Sequence, residues 1–153
     1  MDELRELYQE VILDHGRNPR NFGHPPSCNR QADGDNPLCG DQLTVYLNVS
    51  DDGIVEHVAF EGRGCAISMA SASMMTELVK GKTAAEAEAL FEKFHHLVTD
   101  DTVDLDMAAE DEDLEKLVVL SGVRQFPMRV KCATLPWHTM TAAIDGKGTV
   151  TTE

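Results

Sequence analysis

The spacing of hydrophobic positions along this 153-residue chain changes several times, and each change marks an element. Leu4, Leu7, Tyr8 and Val11 recur at i, i+3, i+4 and i+7, with Ile12 widening the stripe, which predicts an amphipathic helix over residues 3–15. Gly16 and Pro19 end it. Residues 17–38 are rich in breakers and read as loop, with one short strand near 27–33. The period then drops to two. Leu43, Val45, Leu47 and Val49 alternate with Thr44, Tyr46 and Asn48. Asp51-Asp52-Gly53 supplies a hairpin turn, because glycine accepts positive φ. Ile54 to Phe60 returns antiparallel, with Val58 and Phe60 on one face.

Helical spacing resumes after Cys65. Ile67, Ala70, Met74 and Leu78 line a helix from about Ala66 to Lys80, and its many Ala and Ser residues permit close packing. Gly81 stops it, and Thr83 with Glu86 forms a capping box for the next helix. Ala87, Leu90, Phe91, Phe94 and Val98 make that helix's apolar face. The acidic stretch 99–113 reads as a solvated loop, and a short helix at about 111–121 turns Leu114, Leu117 and Val118 inward. Phe126-Pro127 marks a turn, and a last helix is expected from near Cys132 to Ile144 with Pro136 in its first turn. Residues 1–145 then form one domain and 146–153 a mobile tail.

Charge narrows the function classes. The formal net charge is −14, from 27 acidic and 13 basic residues. Such a surface repels phosphate backbones and argues against nucleic acid, while it suits a partner with a basic patch or simply solubility. No apolar run approaches the roughly 20 residues of a membrane span, and the start Met1-Asp2-Glu3-Leu4-Arg5-Glu6 lacks the apolar core of a signal peptide. A cytoplasmic address is expected, where thiols stay reduced. Four widely spaced cysteines then read as metal or catalytic groups rather than disulfides.

Three of them sit in marked contexts: Cys39 in Pro37-Leu38-Cys39-Gly40-Asp41, Cys65 in Gly62-Arg63-Gly64-Cys65-Ala66, and Cys132 in Arg129-Val130-Lys131-Cys132. Each has a glycine or a cation nearby, which favours close approach or the thiolate. With Asp41 they make a tetrahedral zinc set of three sulfurs and one oxygen. The hairpin register puts the Cys39/Asp41 turn and the Gly62–Cys65 turn at the same end of the sheet, and Cys65 begins a helix whose dipole favours a thiolate. Cys28 reads as a filler, Trp137 as a core anchor, and Met69, Met74 and Met75 as core packing. His95 and His96 diverge by about 100° on a helix, so they do not share a metal, and one of the two is expected to be buried. His15 is expected to shape a loop or a partner surface.

These stretches, together with Asp14-His15, Asn18-Pro19-Arg20-Asn21, Asn36-Pro37 and the runs Ala66–Met75 and Phe126–Leu135, resemble the IscU/SufU family of iron–sulfur assembly proteins, from about residue 4 to residue 145. The resemblance implies an α+β fold with a small antiparallel sheet of about three strands under several helices. It implies a metal site from Cys39, Asp41, Cys65 and Cys132. Lys131 stands where scaffold-type members carry a histidine, the Leu-Pro-Pro-Val-Lys stretch of those members is missing, and extra acidic chain over 99–121 precedes Cys132. All three features resemble the SufU branch, whose members bind zinc and accept persulfide sulfur from a SufS-type cysteine desulfurase on the way to a downstream iron–sulfur scaffold. In that family a partner histidine displaces one cysteine ligand. Cys39, on a turn, is the expected acceptor, and Cys65 and Cys132, taken as helix starts, are the expected anchors. Arg129 is the expected catalytic partner, resembling the family arginine that pairs with the site aspartate or contacts the cysteine. Arg63, Arg124 and Lys131 add longer-range field against a zinc site of formal charge −2. Two further functions share these residues: a scaffold for a labile [2Fe–2S] cluster, with iron in place of zinc, and a structural zinc interaction module.

Overall fold

The structure is a computed structural model that describes residues 2–37, 39–100, 102–146 and 148–151, without the side chains of residues 2–7 and 150. The expected stripe positions Leu4 and Leu7 therefore lie outside the described side chains, and Leu38 of the Cys39 motif, Asp101 of the acidic stretch and the last two residues of the expected tail lie outside the described residues. Helix α1 (Asp2–Arg17) is followed by strands β1 (Arg30–Asn36), β2 (Asp41–Val49) and β3 (Val55–Arg63). Helices α2 (Ala66–Val79) and α3 (Ala84–Thr99), the short α4 (Leu105–Ala108) and α5 (Glu112–Leu117), a 3-10 stretch (Val118–Gln125), α6 (Pro127–Ile144) and β4 (Thr149–Thr151) complete the chain. The α+β architecture matches the expectation.

The sheet runs β3-β2-β1-β4, antiparallel except for the parallel β1–β4 pair. Thr149–Thr151, expected in a mobile tail, thus form a fourth strand beside Asp33–Asp35. Alternation along β2 puts Leu43, Val45 and Leu47 on one buried face, paired with Gly62, Phe60 and Val58 of β3. Burying this aliphatic and aromatic surface is the main drive for folding. Helices α2 and α6 cover that face. Their small residues allow close approach, and the buried Ser71 Oγ donates to the Ala133 carbonyl at 2.5 Å while accepting from Trp137 Nε1 at 3.1 Å. Trp137 is fully buried against Phe94, ring centroids 5.1 Å apart, as expected of a core anchor. The free edge of β3 is not bare: Phe22 bridges to Phe60, Gly23 N donates to the Phe60 carbonyl at 2.8 Å, and Phe60 N to that of Asn21 at 3.1 Å.

Three local expectations are corrected. The last helix starts at Pro127, five residues before Cys132, so Phe126-Pro127 is a helix start and Cys132 lies inside the helix. Pro136 is consequently in the helix interior, where it has no N–H for the Cys132 carbonyl four residues back. Cys132, Ala133, Thr134, Leu135, Pro136 and Trp137 are all buried, and packing on α2, β1 and β2 outweighs the missing bond. The acidic stretch is not all loop: Asp104 and Asp111 cap α4 and α5, each accepting from two backbone N–H groups of the following turn. His95 and His96 are both exposed.

Candidate metal centre

Register builds the site. Asn36 of β1 pairs with Asp41 of β2, so Pro37–Gly40 closes the hairpin and carries Cys39 on its turn. On the other side of β2, Gln42 pairs with Arg63, and the chain leaves β3 through Gly64 into Cys65, the N-cap of α2. This brings the Cys65 N–H to within 2.9 Å of Asp41 Oδ1, which it donates to. Gly64 is required by space: a Cβ there would stand 2.5 Å from Asp41 Oδ1 and 2.6 Å from Ser68 Oγ. Helix α6, lying on β1 and β2, delivers Cys132 from the third side.

The three thiols differ. Cys39 is exposed, Cys65 is half-buried and Cys132 is buried; all are free. Cys132 Sγ is 3.3 Å from Cys39 Sγ, far longer than the ~2.0 Å of a disulfide. The ligand atoms of Cys39, Asp41 and Cys132 lie within 4.8 Å of one another. Cys65 stands outside that trio but couples to it. The neighbouring Cys132 thiol, and after it Ser68, bring the Cys65 pKa down to about 6 against the opposing effect of burial. The same coupling, then burial, pushes Cys132 strongly upward. Ser68 adds to the Cys65 side, its Oγ 3.8 Å from the Cys65 sulfur.

Asp41 is fully buried, and no ion pair involves it among the described residues. A buried carboxylate without a counter-charge is costly, and thiolates beside it raise that cost. One divalent cation among sulfur and carboxylate donors relieves all of it, so the donor set fits zinc chemistry. Sequence reasoning missed Asn36, whose buried amide faces this group. Its pairing with Asp41 across the turn was the available signal.

Arg129 lies on the first turn of α6, exposed, lining a cavity of about 550 Å³ with Ile12, Ile67, Val123 and Phe126. It makes no ion pair with Asp41 among the described residues. Arg124 is tied to the Leu97 and Val103 carbonyls, at 2.6 and 3.1 Å, and Arg63 to Gln42 at 3.2 Å. His15 bonds Ser73 Oγ at 2.7 Å, pinning the end of α1 to α2.

Residues 7–133 match the profile of the NifU-like N terminal domain. The chain belongs to that family. Within it, the chain is 42% identical over 137 residues to the zinc-dependent sulfurtransferase SufU of Bacillus subtilis, covering 90% of this chain and 88% of that one. It is 38% identical over 150 residues to the iron–sulfur cluster assembly scaffold protein IscU of Streptococcus pyogenes, covering 94% and 86%. Among solved structures, a candidate assembly scaffold protein for the SUF system from Fervidobacterium islandicum superposes with TM-score 0.78 at 32% identity, covering 88% of this chain and 94% of that one. The N-terminal part of a NifU-like protein from Brucella abortus gives 0.79 at 26%, covering 91% and 92%. The family resemblance read from the cysteine motifs and the α+β fold it implied are both supported by these matches.

Proposed function

We propose that this chain is a zinc-dependent sulfur carrier for iron–sulfur cluster assembly, accepting persulfide sulfur from a SufS-type cysteine desulfurase and handing it to a downstream scaffold. The observation that carries this reading is the inequality of the sulfurs. Cys39 is exposed on a turn, while Cys132, 3.3 Å away, is buried in a helix. The likeness to a zinc-dependent sulfurtransferase supports it. Cys39, Asp41, Cys65 and Cys132 would hold zinc, and zinc when bound supplies a redox-inert positive charge that keeps thiolates deprotonated and oriented.

The chain's own part is thiol exchange. The Cys39 thiolate attacks the outer sulfur of the desulfurase persulfide, a new S–S bond forms on Cys39, and the desulfurase cysteine leaves as thiolate. Two electrons move within the sulfurs and no outside oxidant is needed. Asp41 stays anchored by the Cys65 N–H during this exchange. Phe126 and Met128, 55% and 53% exposed at the start of α6, offer apolar contact surface for the desulfurase beside Cys132, and Arg129 adds a cation there.

A second reading, a scaffold for a labile [2Fe–2S] cluster, is favoured by the likeness to IscU scaffold proteins and uses the same donors. One assay separates the two. Purified protein is analysed for metal and mixed with cysteine and the desulfurase. Bound zinc with faster sulfide or alanine production, and a persulfide on Cys39 by mass spectrometry, is the expected result. Visible absorption bands with iron and sulfide, without that stimulation, would replace it with the scaffold. Zinc that changes neither would leave a structural module.

A further inference from the structure

Asn36 is the last residue of β1, fully buried, and directly opposite Asp41 across the hairpin that carries Cys39. Its Nδ2 lies 3.4 Å from Asp41 Oδ2 and 3.6 Å from Cys132 Sγ. An amide nitrogen carries two protons, so both contacts are served at once. The first is long for N–H···O, and the second is in the range that the larger sulfur atom allows. Turned around, the side chain would set its oxygen against a carboxylate and a sulfur, both electron-rich, so the site's own charge selects the donor orientation. The other end of the amide, Oδ1, is buried with no hydrogen-bond partner among the described residues. A residue kept only to complete the local structure would satisfy both ends. This one satisfies only the end that faces the ligands.

We propose that Asn36 is a positioning residue for the metal site: its amide holds Asp41 and Cys132 together as the fixed half of the ligand set and leaves Cys39 as the sulfur free to exchange. The three sulfurs are supported differently. Cys65 has the α2 N-terminus and Ser68, and Cys132 has the Asn36 amide, whereas among the described residues the exposed Cys39 sulfur has only the Cys132 sulfur as a hydrogen-bond contact, its backbone N–H donating to the Asn36 carbonyl at 3.2 Å. Charge-assisted donors of this kind orient ligands and tune how firmly they are held. The inference rests on the metal site proposed above but not on sulfur transfer.

The test uses the full-length protein with Asn36→Ala and Asn36→Leu, the second keeping the volume without the donor. Zinc affinity is read by competition with a chromophoric chelator, and the order of iodoacetamide labelling in the zinc-loaded protein by peptide mass spectrometry. Both variants should bind zinc about 10- to 100-fold more weakly, the usual loss when a ligand's hydrogen-bond partner is removed. Cys39 should label well ahead of Cys132 in the native protein, and that lead should shrink in the variants. Asn29→Ala, which removes an asparagine bonded to the Val49 backbone at 2.7 and 2.8 Å, should change neither readout. Variant affinities within twofold of the native value, or an unchanged labelling order, would overturn the inference while leaving the sulfur-carrier reading intact. A native protein that binds no zinc would overturn both. If neither variant folds, the native protein decides: the Asn36 side-chain amide protons should shift and exchange more slowly on loading with cadmium-113, and unmoved signals overturn the proposal.

Discussion

The two ends of the sheet treat their polar groups in opposite ways. At the Ser50–Ile54 turn, nearly everything is closed within the chain. Gly53 N bonds Ser50 O at 2.9 Å, Val55 N bonds Lys82 O at 2.8 Å, Gly81 N bonds Val55 O at 2.7 Å and Ala84 N bonds Gly53 O at 2.9 Å. Helix α3 opens there with a complete capping box between Thr83 and Glu86. At the other end, α2 opens on Cys65 and α6 on Phe126, neither with a side-chain cap. Among the described residues, buried Asp41 has no ion pair and Asn36 Oδ1 has no partner. One end is built for stability. The other leaves polar groups without internal partners among the described residues, which suits the metal site proposed above.

Substitutions at the two ends should separate these purposes. Replacing Cys39 with Ser should have the largest effect: desulfurase-dependent persulfide loading of the chain should fall to background. Far-UV circular dichroism and melting of the zinc-free protein should be unchanged, because the residue is exposed. Next comes Gly64→Ala. Its Cβ would meet Asp41 Oδ1 at 2.5 Å, so zinc affinity by chelator competition should drop by about 100-fold, the upper range for disturbed ligand support. At the opposite end, Thr83→Ala should cost about 1 kcal/mol in urea unfolding through the lost cap and leave zinc affinity untouched. If it weakened zinc binding as Gly64→Ala does, the division between the ends would collapse.

The smallest effect concerns pH. Burial, then the His95 charge, depresses the His138 pKa below 6.5, and burial, then Arg20, depresses that of His15. Between the lowered folded value and 6.5 the unfolded chain binds more protons, so these neutral imidazoles contribute stability fully above pH 6.5 and lose it as pH falls through the folded value. Melting temperature should decline below pH 6.5, and His138→Gln should flatten that decline. A decline of equal steepness in the variant would assign it to other groups.

Much of the fold was legible because its signals were local. The period-two run in β2, the Gly53 turn and the Thr83/Glu86 box each declare themselves within a few residues. The start of α6 did not, because the stretch 127–131 is mostly exposed and shows no apolar stripe, the buried part begins only at Cys132, and Pro136 mimics a first-turn residue. Asp104 and Asp111 read as charge when they act as caps. The site divided in the same way. Hairpin register alone brought Asp41 beside Cys65, whereas the approach of Cys132 depends on how α6 lies on β1, a tertiary matter that only the family likeness anticipated. Asn36 was inside a quoted motif, yet its purpose is visible only when its partners are.

The pairing of Thr149–Thr151 with β1, and of Asn21–Gly23 with Phe60 on β3, leaves this sheet without a long bare margin. A second polypeptide cannot readily lay a strand alongside it, which also blunts edge-to-edge aggregation. Whatever docks here must recognise side chains and loops, among them the Cys39 turn and the exit of β3 toward Cys65, which share one end of the sheet.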